Sequence, residues 1–389
     1  MIHFGLLTAI LDGWNFEEAI DTAAEMGFEC LEVACWPAGK AERRYAGVSH
    51  IDAERVLEDD VYADYVKNYI ESKGMHISSL AFYPNTMDPD LAKREAAIAH
   101  LKALIKASAK LGVGMVTTFI GRDQAKTVEE NIELFKEIWP PIIALAEENN
   151  VKVAIENCPM LFGRDQWPGG QNLMCTPAIF RKLFEIIPSP NFGINFDPSH
   201  YVWQQMDYIK TIYEFKDRIF HIHFKDIKLY PEKLAECGVL AYPLDYMSPK
   251  IPGLGDVNWS AFISALNDIR YNGDAVIEVK TRPLKAAVKI SSLLSASAST
   301  ISTILLDNPD MDPRKRDGKA QKPSRPVFYV FCCCYLSHQL GSADDAEILL
   351  QLSKSEFYRL RDMVVTVKFC SHPVKKQRSE MCKPAAENK

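Results

Sequence analysis

Short apolar runs alternate with longer amphipathic stretches along the first 280 residues. The apolar runs fall at 2–10, 28–34, 77–82, 115–120, 152–156, 191–197, 218–224 and 275–279, and they predict eight strands. Between them lie helical patterns. Residues 16–26 carry Phe16, Ile20, Ala23 and Ala24 on one stripe, with Gly27 as the stop. Residues 91–111 place Ala97, Leu101, Leu104 and Leu111 at helical spacing, and 128–149 and 259–270 read as single helices of the same kind. Eight strands alternating with helices predict an α/β fold, a (β/α)8 TIM barrel in preference to a doubly wound sheet. No GxGxxG follows the first strand, which argues against a dinucleotide site. Two connections are long, 157–175 after the fifth strand and 226–258 after the seventh. Both leave the carboxyl ends of strands, the face on which barrel active sites are built.

After Lys280 the alternation fails. "SSLLSASASTISTILLDN" is Ser-rich, "PDMDPRKRDGKAQKPSRP" reads as a polar linker, and "FYVFCCCYL" is an isolated apolar run. Apolar positions between Leu284 and Leu305 can form one amphipathic helix over the last strand. The expected organisation is a barrel over 1–306, its last helix atypical from 281, and a poorly ordered extension over 307–389. Charge marks the same divide. Residues 281–389 hold 18 of the 45 Lys+Arg and 11 of the 51 Asp+Glu, a net of +7, which leaves −13 for residues 1–280.

The composition, 47% hydrophobic and 25% charged over 389 residues, is that of an ordinary globular enzyme. No apolar run approaches a membrane span, so no membrane partner is expected. The start, MIHFGLLTAILDGW, lacks a basic segment and a small-residue cleavage site, and reads as a strand, not a signal peptide; a cytoplasmic location is the expectation. The ten cysteines form no CxxC pair and read as reduced thiols. The acidic body argues against nucleic acid.

The chemistry gathers at strand ends. The fifth strand, VKVAIEN, ends in Glu156. The sixth, FGINFDPSH, ends in Asp197, with His200 beyond the turn. The seventh, IFHIHFKD, ends in His223, Lys225 and Asp226, and the eighth, AVIEV, carries Glu278. Each has an ordinary reading alone: a paired carboxylate, an Asp-Pro turn, a core histidine. The pair His221/His223 is expected to bring only one ring into the barrel. On four consecutive strands together, Glu156, Asp197, His223 and Glu278 predict one divalent metal, since buried carboxylates need a partner. Three carboxylates and an imidazole favour Mn2+, Mg2+ or Co2+, with Zn2+ also admissible. The loops offer Trp167 and Gln171 in "CPMLFGRDQWPGGQN", Trp36, Lys40, Arg43, Arg44 and Tyr45 in "CWPAGKAERRYAG", and Arg122 in "FIGRD". The aromatics can stack on a sugar and the cations can bind phosphate or carboxylate; capping and solvated surface loops are the plain alternatives.

AIEN (154–157), FDPSH (196–200), HIHFKD (221–226), PGLGDVNW (252–259) and VIEV (276–279), in this order and spacing, resemble the xylose-isomerase-like barrels, the sugar phosphate isomerases/epimerases. The resemblance covers about residues 1–280. It implies metal ligation by Glu156, Asp197, His223 and Glu278, substrate contact by His200, and a sugar-like small molecule as substrate, with self-association an open alternative. With a metal polarising a substrate carbonyl, Glu156 and Glu278 are expected to act as base and acid through an enediolate. Epimerisation, aldose–ketose isomerisation, and loss of a β-hydroxyl as in an inosose-type dehydratase or a 3-oxo-glycoside lyase all fit one such constellation. An inactive binding or partner subunit is the alternative of another class. The chain departs from the ketose 3-epimerases at Lys228 and Leu229, where they place an arginine, and in CPMLFGRDQ, which has no glutamate. YMSPKIPGLG lacks the D-x-H of the endonuclease IV group, so a DNA-repair reading loses its metal ligands.

Overall fold

The computed structural model describes residues 2–37, 47–161 and 169–278. Eight parallel strands close into a barrel: β1 (His3–Leu7), β2 (Cys30–Ala34), β3 (His76–Ala81), β4 (Met115–Thr118), β5 (Lys152–Glu156), β6 (Phe192–Phe196), β7 (Ile219–Phe224) and, completing the ring between β7 and β1, β10 (Asp274–Ile277). The predicted (β/α)8 barrel is therefore the fold. Two further strands, β8 (Asp226–Leu229) and β9 (Met247–Lys250), form an antiparallel pair outside the barrel. They occupy the long connection after β7, which the sequence pattern left as loop. The division of the chain at residue 306, the amphipathic stretch 284–305 and the extension 307–389 lie outside the described residues.

The helices start and stop where local chemistry supplies partners for their end groups. Asn15 and Thr127 make capping boxes with Glu18 and Glu130, and Asp90 caps the helix Leu91–Leu111, which ends on Gly112 at φ +74°. The stretch 128–149 is not one helix, as its periodicity predicts, but two: Val128–Ile138 and Pro140–Glu148. Pro140 and Pro141 have no N–H to continue the first helix, and they suit the first turn of the second. Trp139 fills the break, fully buried, its Nε1–H donating to Ile120 O at 3.2 Å.

The two faces of each strand have different jobs. On β6, Phe192 packs against Phe135, Trp139 and Phe184, and Phe196 against Tyr201 and Phe262, all from the helical layer. Asn195 and Asp197 point the other way, into the barrel, where they meet groups of neighbouring strands. The interior of the barrel is accordingly polar at several levels. His221 reaches Asn195 Oδ1 at 3.1 Å and Ser78 Oγ at 3.0 Å. Above it, Glu32 meets Thr117, Tyr83 and His223. A register shift between Leu31 and Glu32 along β3 lets consecutive residues Ser78 and Ser79 both serve this interior: Ser78 bonds His221, and Ser79 lies 3.1 Å from Thr117 Oγ1. The expectation that only one of His221 and His223 enters the barrel is wrong. A spacing of two puts both on one face of a strand, and both are fully buried there.

Candidate metal centre

Four adjacent strands bring Glu156, Asp197, His223 and Glu278 to the carboxyl end of the barrel. One ligand atom from each lies within 4.8 Å of all the others, and all four residues are buried. His223 Nδ1 stands 3.5 Å from Glu156 Oε1 and 3.4 Å from Glu278 Oε2. These are too long for hydrogen bonds and short enough for one ion to be shared. Glu156 Oε1, Asp197 Oδ2 and His223 Nδ1 have no hydrogen-bond partner among the described residues. Lys225 and His200 approach the two carboxylate oxygens at 3.2–3.9 Å as ion-pair partners, but none of the three atoms is satisfied by a hydrogen bond. Three such atoms facing one point fit a divalent cation, and oxygen and imidazole donors are what such ions take.

The surroundings orient these groups. Asp197 N–H donates to Asn157 Oδ1, and Asn157 Nδ2 donates back to Asp197 O, both at 2.8 Å, which locks the ends of β5 and β6 together. Asp197 Oδ1 is occupied by Ser199 N–H at 2.8 Å, leaving Oδ2 for the centre. His223 Nε2 lies 2.7 Å from Glu32 Oε2. With an ion at the centre, that partner would hold the Nε2–H and leave the Nδ1 lone pair for the metal. Without one, burial opposes the imidazolium, and the surrounding carboxylates, Glu32 foremost, raise the His223 pKa against it. Glu32 is fully buried and also accepts from Thr117 Oγ1 at 2.8 Å and from Tyr83. Burial works to raise its pKa, but His223 and its other donors outweigh that and hold it ionised.

Two cationic groups complete the cluster. Lys225 Nζ is 2.9 Å from Glu278 Oε2, 3.2 Å from Asp197 Oδ2 and 3.9 Å from Glu156 Oε1. Burial opposes its charge, and the three carboxylates, Glu278 foremost, overcome this and raise its pKa well above the ordinary lysine value. His200 sits in the short helix Ser199–Trp203, with Nε2 3.2 Å from Asp197 Oδ2, 3.2 Å from Lys225 Nζ and 3.6 Å from Glu156 Oε1. It borders the four-residue cluster without being one of its members. Burial and Glu278 work to raise the Glu156 pKa, yet His200 and His223 prevail and lower it, so Glu156 is a carboxylate.

Asp226 turns away from this centre. Its Oδ1 accepts from Ile227 N and Val257 N at 2.8 and 3.1 Å, and its Oδ2 from Gly253 N, Gly255 N and Trp259 Nε1 at 2.9, 3.1 and 2.9 Å. It latches the segment PGLGDVNW to the mouth of the barrel. A Cβ on Gly255 would stand 2.1 Å from Asp226 Oδ1, so the close approach requires glycine there.

Trp36 lies on an apolar wall, 5.9 Å from the Phe82 ring and 6.0 Å from Tyr83, beside Phe119, Cys158 and Met160. Arg122 Nη1 donates to Gly169 O at 2.8 Å, tying the loops after β4 and β5 together. None of its described contacts reaches the cluster. Trp167, Lys40, Arg43, Arg44 and Tyr45 lie outside the described residues. Reading only strand ends overlooked Glu32, Asn195 and Tyr83. The available signal was Glu32 itself, a charge in the middle of the apolar strand CLEVA.

A family model described as a xylose isomerase-like TIM barrel matches residues 20–296, past the Lys280 at which the alternation of the sequence ends. Inosose dehydratase of Clostridium perfringens is 26% identical over 298 residues, 71% of this chain and 92% of that protein. Among solved structures, D-psicose 3-epimerase from Clostridium cellulolyticum H10, determined with D-tagatose, superposes with a TM-score of 0.55 at 18% identity, covering 78% of this chain and 99% of that one. The IOLI protein, solved with a bound zinc atom, gives a TM-score of 0.57 at 17% identity over 78% of this chain and 99% of its own. At such identities the structural likeness is one of fold.

Proposed function

The chain belongs to the xylose isomerase-like TIM barrel family, and on that premise we propose that it is a divalent-metal-dependent enzyme that epimerises or isomerises a keto-sugar or related polyol through an enediolate. The observation that carries this reading is the convergence of Glu156, Asp197, His223 and Glu278, three of whose facing atoms have no hydrogen-bond partner among the described residues. A bound Mn2+, Mg2+, Co2+ or Zn2+ would polarise a substrate carbonyl and acidify the neighbouring C–H. The chain's own residues do the rest. Glu156, held as a carboxylate, accepts the proton from carbon. Glu278, whose Oε2 accepts from Lys225, stands across the centre to return a proton to the other face or to the adjacent carbon. Lys225 and His200 present N–H donors to substrate oxygens as charge develops on them. Trp36 and the apolar wall beside it exclude water from one side. Substrate stacking on Trp167 and anion binding by Arg122 belong to the same proposal, as does a cytoplasmic enzyme with no nucleic-acid partner.

Dehydration is the second reading, favoured by the 26% identity to an inosose dehydratase across 92% of its length. Both begin with the same proton abstraction, and the products separate them. The test is metal-stripped full-length protein, reloaded with Mn2+ and incubated in D2O with ketoses, inososes and 3-oxo-glycosides under NMR. Deuterium entering at one carbon, lost with Glu278→Gln in a variant that still folds, supports the reading. Exchange no faster than in Glu278→Gln across the whole panel would leave a binding subunit as the better account.

A further inference from the structure

At the opposite end of the barrel, where the strands begin, a second set of metal-type donors converges. His3 opens β1, His76 opens β3 and Asp274 opens β10. His3 Nδ1 lies 2.9 Å from Asp274 Oδ1, and His76 Nε2 lies 3.1 Å from both Asp274 oxygens. The imidazole rings meet edge to face, their centroids 5.0 Å apart and their planes at 81°. One donor atom from each residue falls within 4.8 Å of the other two. We propose that this trio is a cation site, distinct from the centre at the carboxyl ends, that takes a borderline transition dication such as Zn2+.

Geometry and donor type argue for it together. An ion held at about 2.0–2.2 Å from its ligands sets neighbouring N and O donors about 3.0–3.5 Å apart, so the His–Asp separations need little change. Two imidazoles with one carboxylate suit Zn2+, Ni2+ or Cu2+ and give Mg2+ or Ca2+ too few oxygens. The two histidine side chains are each 45% exposed and that of Asp274 is 17% exposed, so an ion can enter and water can complete its shell. The donors stand on rigid ground. His3 and Asp274 are register partners on paired strands, and the Asp274 carbonyl accepts from Tyr271 OH at 2.7 Å. The ion would join the first strand of the barrel to the last, with His76 reaching across from the far side of β2. Proton competition at both histidines makes binding weaken toward acid pH.

The test uses chelator-stripped full-length protein titrated with Zn2+, wild type beside His76→Gln and His3→Gln. His76 is exposed, so its replacement leaves the fold intact; a single cooperative melting transition in EDTA, only slightly below that of wild type, verifies this. Cysteines and the carboxyl-end centre bind zinc as well, so the readout is the difference between variants. The expected result is one zinc equivalent fewer in each histidine variant, and a zinc-induced rise in melting temperature that is present in wild type and smaller in both variants. Glu278→Gln should keep this equivalent, whatever becomes of the other centre. Equal stoichiometry and affinity in wild type and His76→Gln would overturn the proposal and reduce the trio to an ordinary ion pair.

Discussion

Replacing Asp226 by Asn should unlatch the loop that borders the centre. The side chain is fully buried and accepts five hydrogen bonds, two on Oδ1 and three on Oδ2. An amide has only one acceptor atom. Whichever way it turns, at least two N–H groups come to face its NH2, donor against donor. A bond to a charged partner is worth about 1.5–3 kcal/mol, so two lost bonds amount to about 3–6 kcal/mol. The loop can relieve part of this by swinging out to water, which makes about 3 kcal/mol the expected loss. That is a large share of the roughly 5–15 kcal/mol that holds a domain folded. Trp259 would lose its Nε1 partner while keeping its packing on Phe224 and Phe262, 5.4 and 5.6 Å between centroids. The helix Trp259–Asp268 should therefore stay in place while the preceding loop opens. Urea unfolding measures the loss, and hydrogen exchange at Gly253, Gly255 and Val257 locates it. A loss under about 1 kcal/mol, with those three amides as protected as in wild type, would refute the reasoning.

Glu32→Gln removes the carboxylate that fixes the His223 tautomer. Metal affinity at the carboxyl-end centre should fall about 10–100-fold, read by competition with a chelator; unchanged affinity would mean that His223 is held by its packing alone. His200→Asn should raise KM more than it weakens metal binding, because His200 borders the four-residue cluster without belonging to it; equal losses would move it into the metal shell. The His76 pKa is raised, chiefly by its hydrogen bond to Asp274 and against burial. A raised folded-state value means that the pair's contribution is full below the ordinary histidine value of 6.5 and is lost as pH rises through the folded one. In EDTA, the melting advantage of wild type over His76→Gln should shrink as pH rises above 6.5, and an advantage that grows would contradict it. Half-exposed groups make this effect small.

The eight barrel strands were legible because each is a short apolar run whose hydrophobic face must meet a helix. The break at Trp139 was not, because hydrophobic periodicity runs unchanged through a change of helix axis; only Pro140 and Pro141 mark it. The pair β8 and β9 escaped because MSPK and DIKL are too polar to read as strands. They are held by mutual pairing and by the Asp226 latch. Glu156, Asp197, His223 and Glu278 stood out as strand-end charges. Their supports did not, because Glu32, Asn195 and Tyr83 acquire meaning only across strands distant in sequence. His3, His76 and Asp274 were invisible for the same reason, each being unremarkable at the start of its own strand.

The polar interior of the barrel also bears on how the chain reaches its native state. Glu32 finds His223 across 191 residues, and Ser78 finds His221 across 143. Neither half of the barrel in chain order, β1 to β4 or β5 to β10, contains both members of either pair. A fragment ending after β4 would have to bury the Glu32 carboxylate without its imidazole partner, at a penalty of several kcal/mol, so such a fragment has no stable closed form. Collapse driven by apolar faces can gather the strands early, but the last step, ring closure, must bring β7 and β10 in before the inner charges are paired. Such long-range contacts place the molecule among slow folders, and they make appearance of the centre coincide with completion of the barrel.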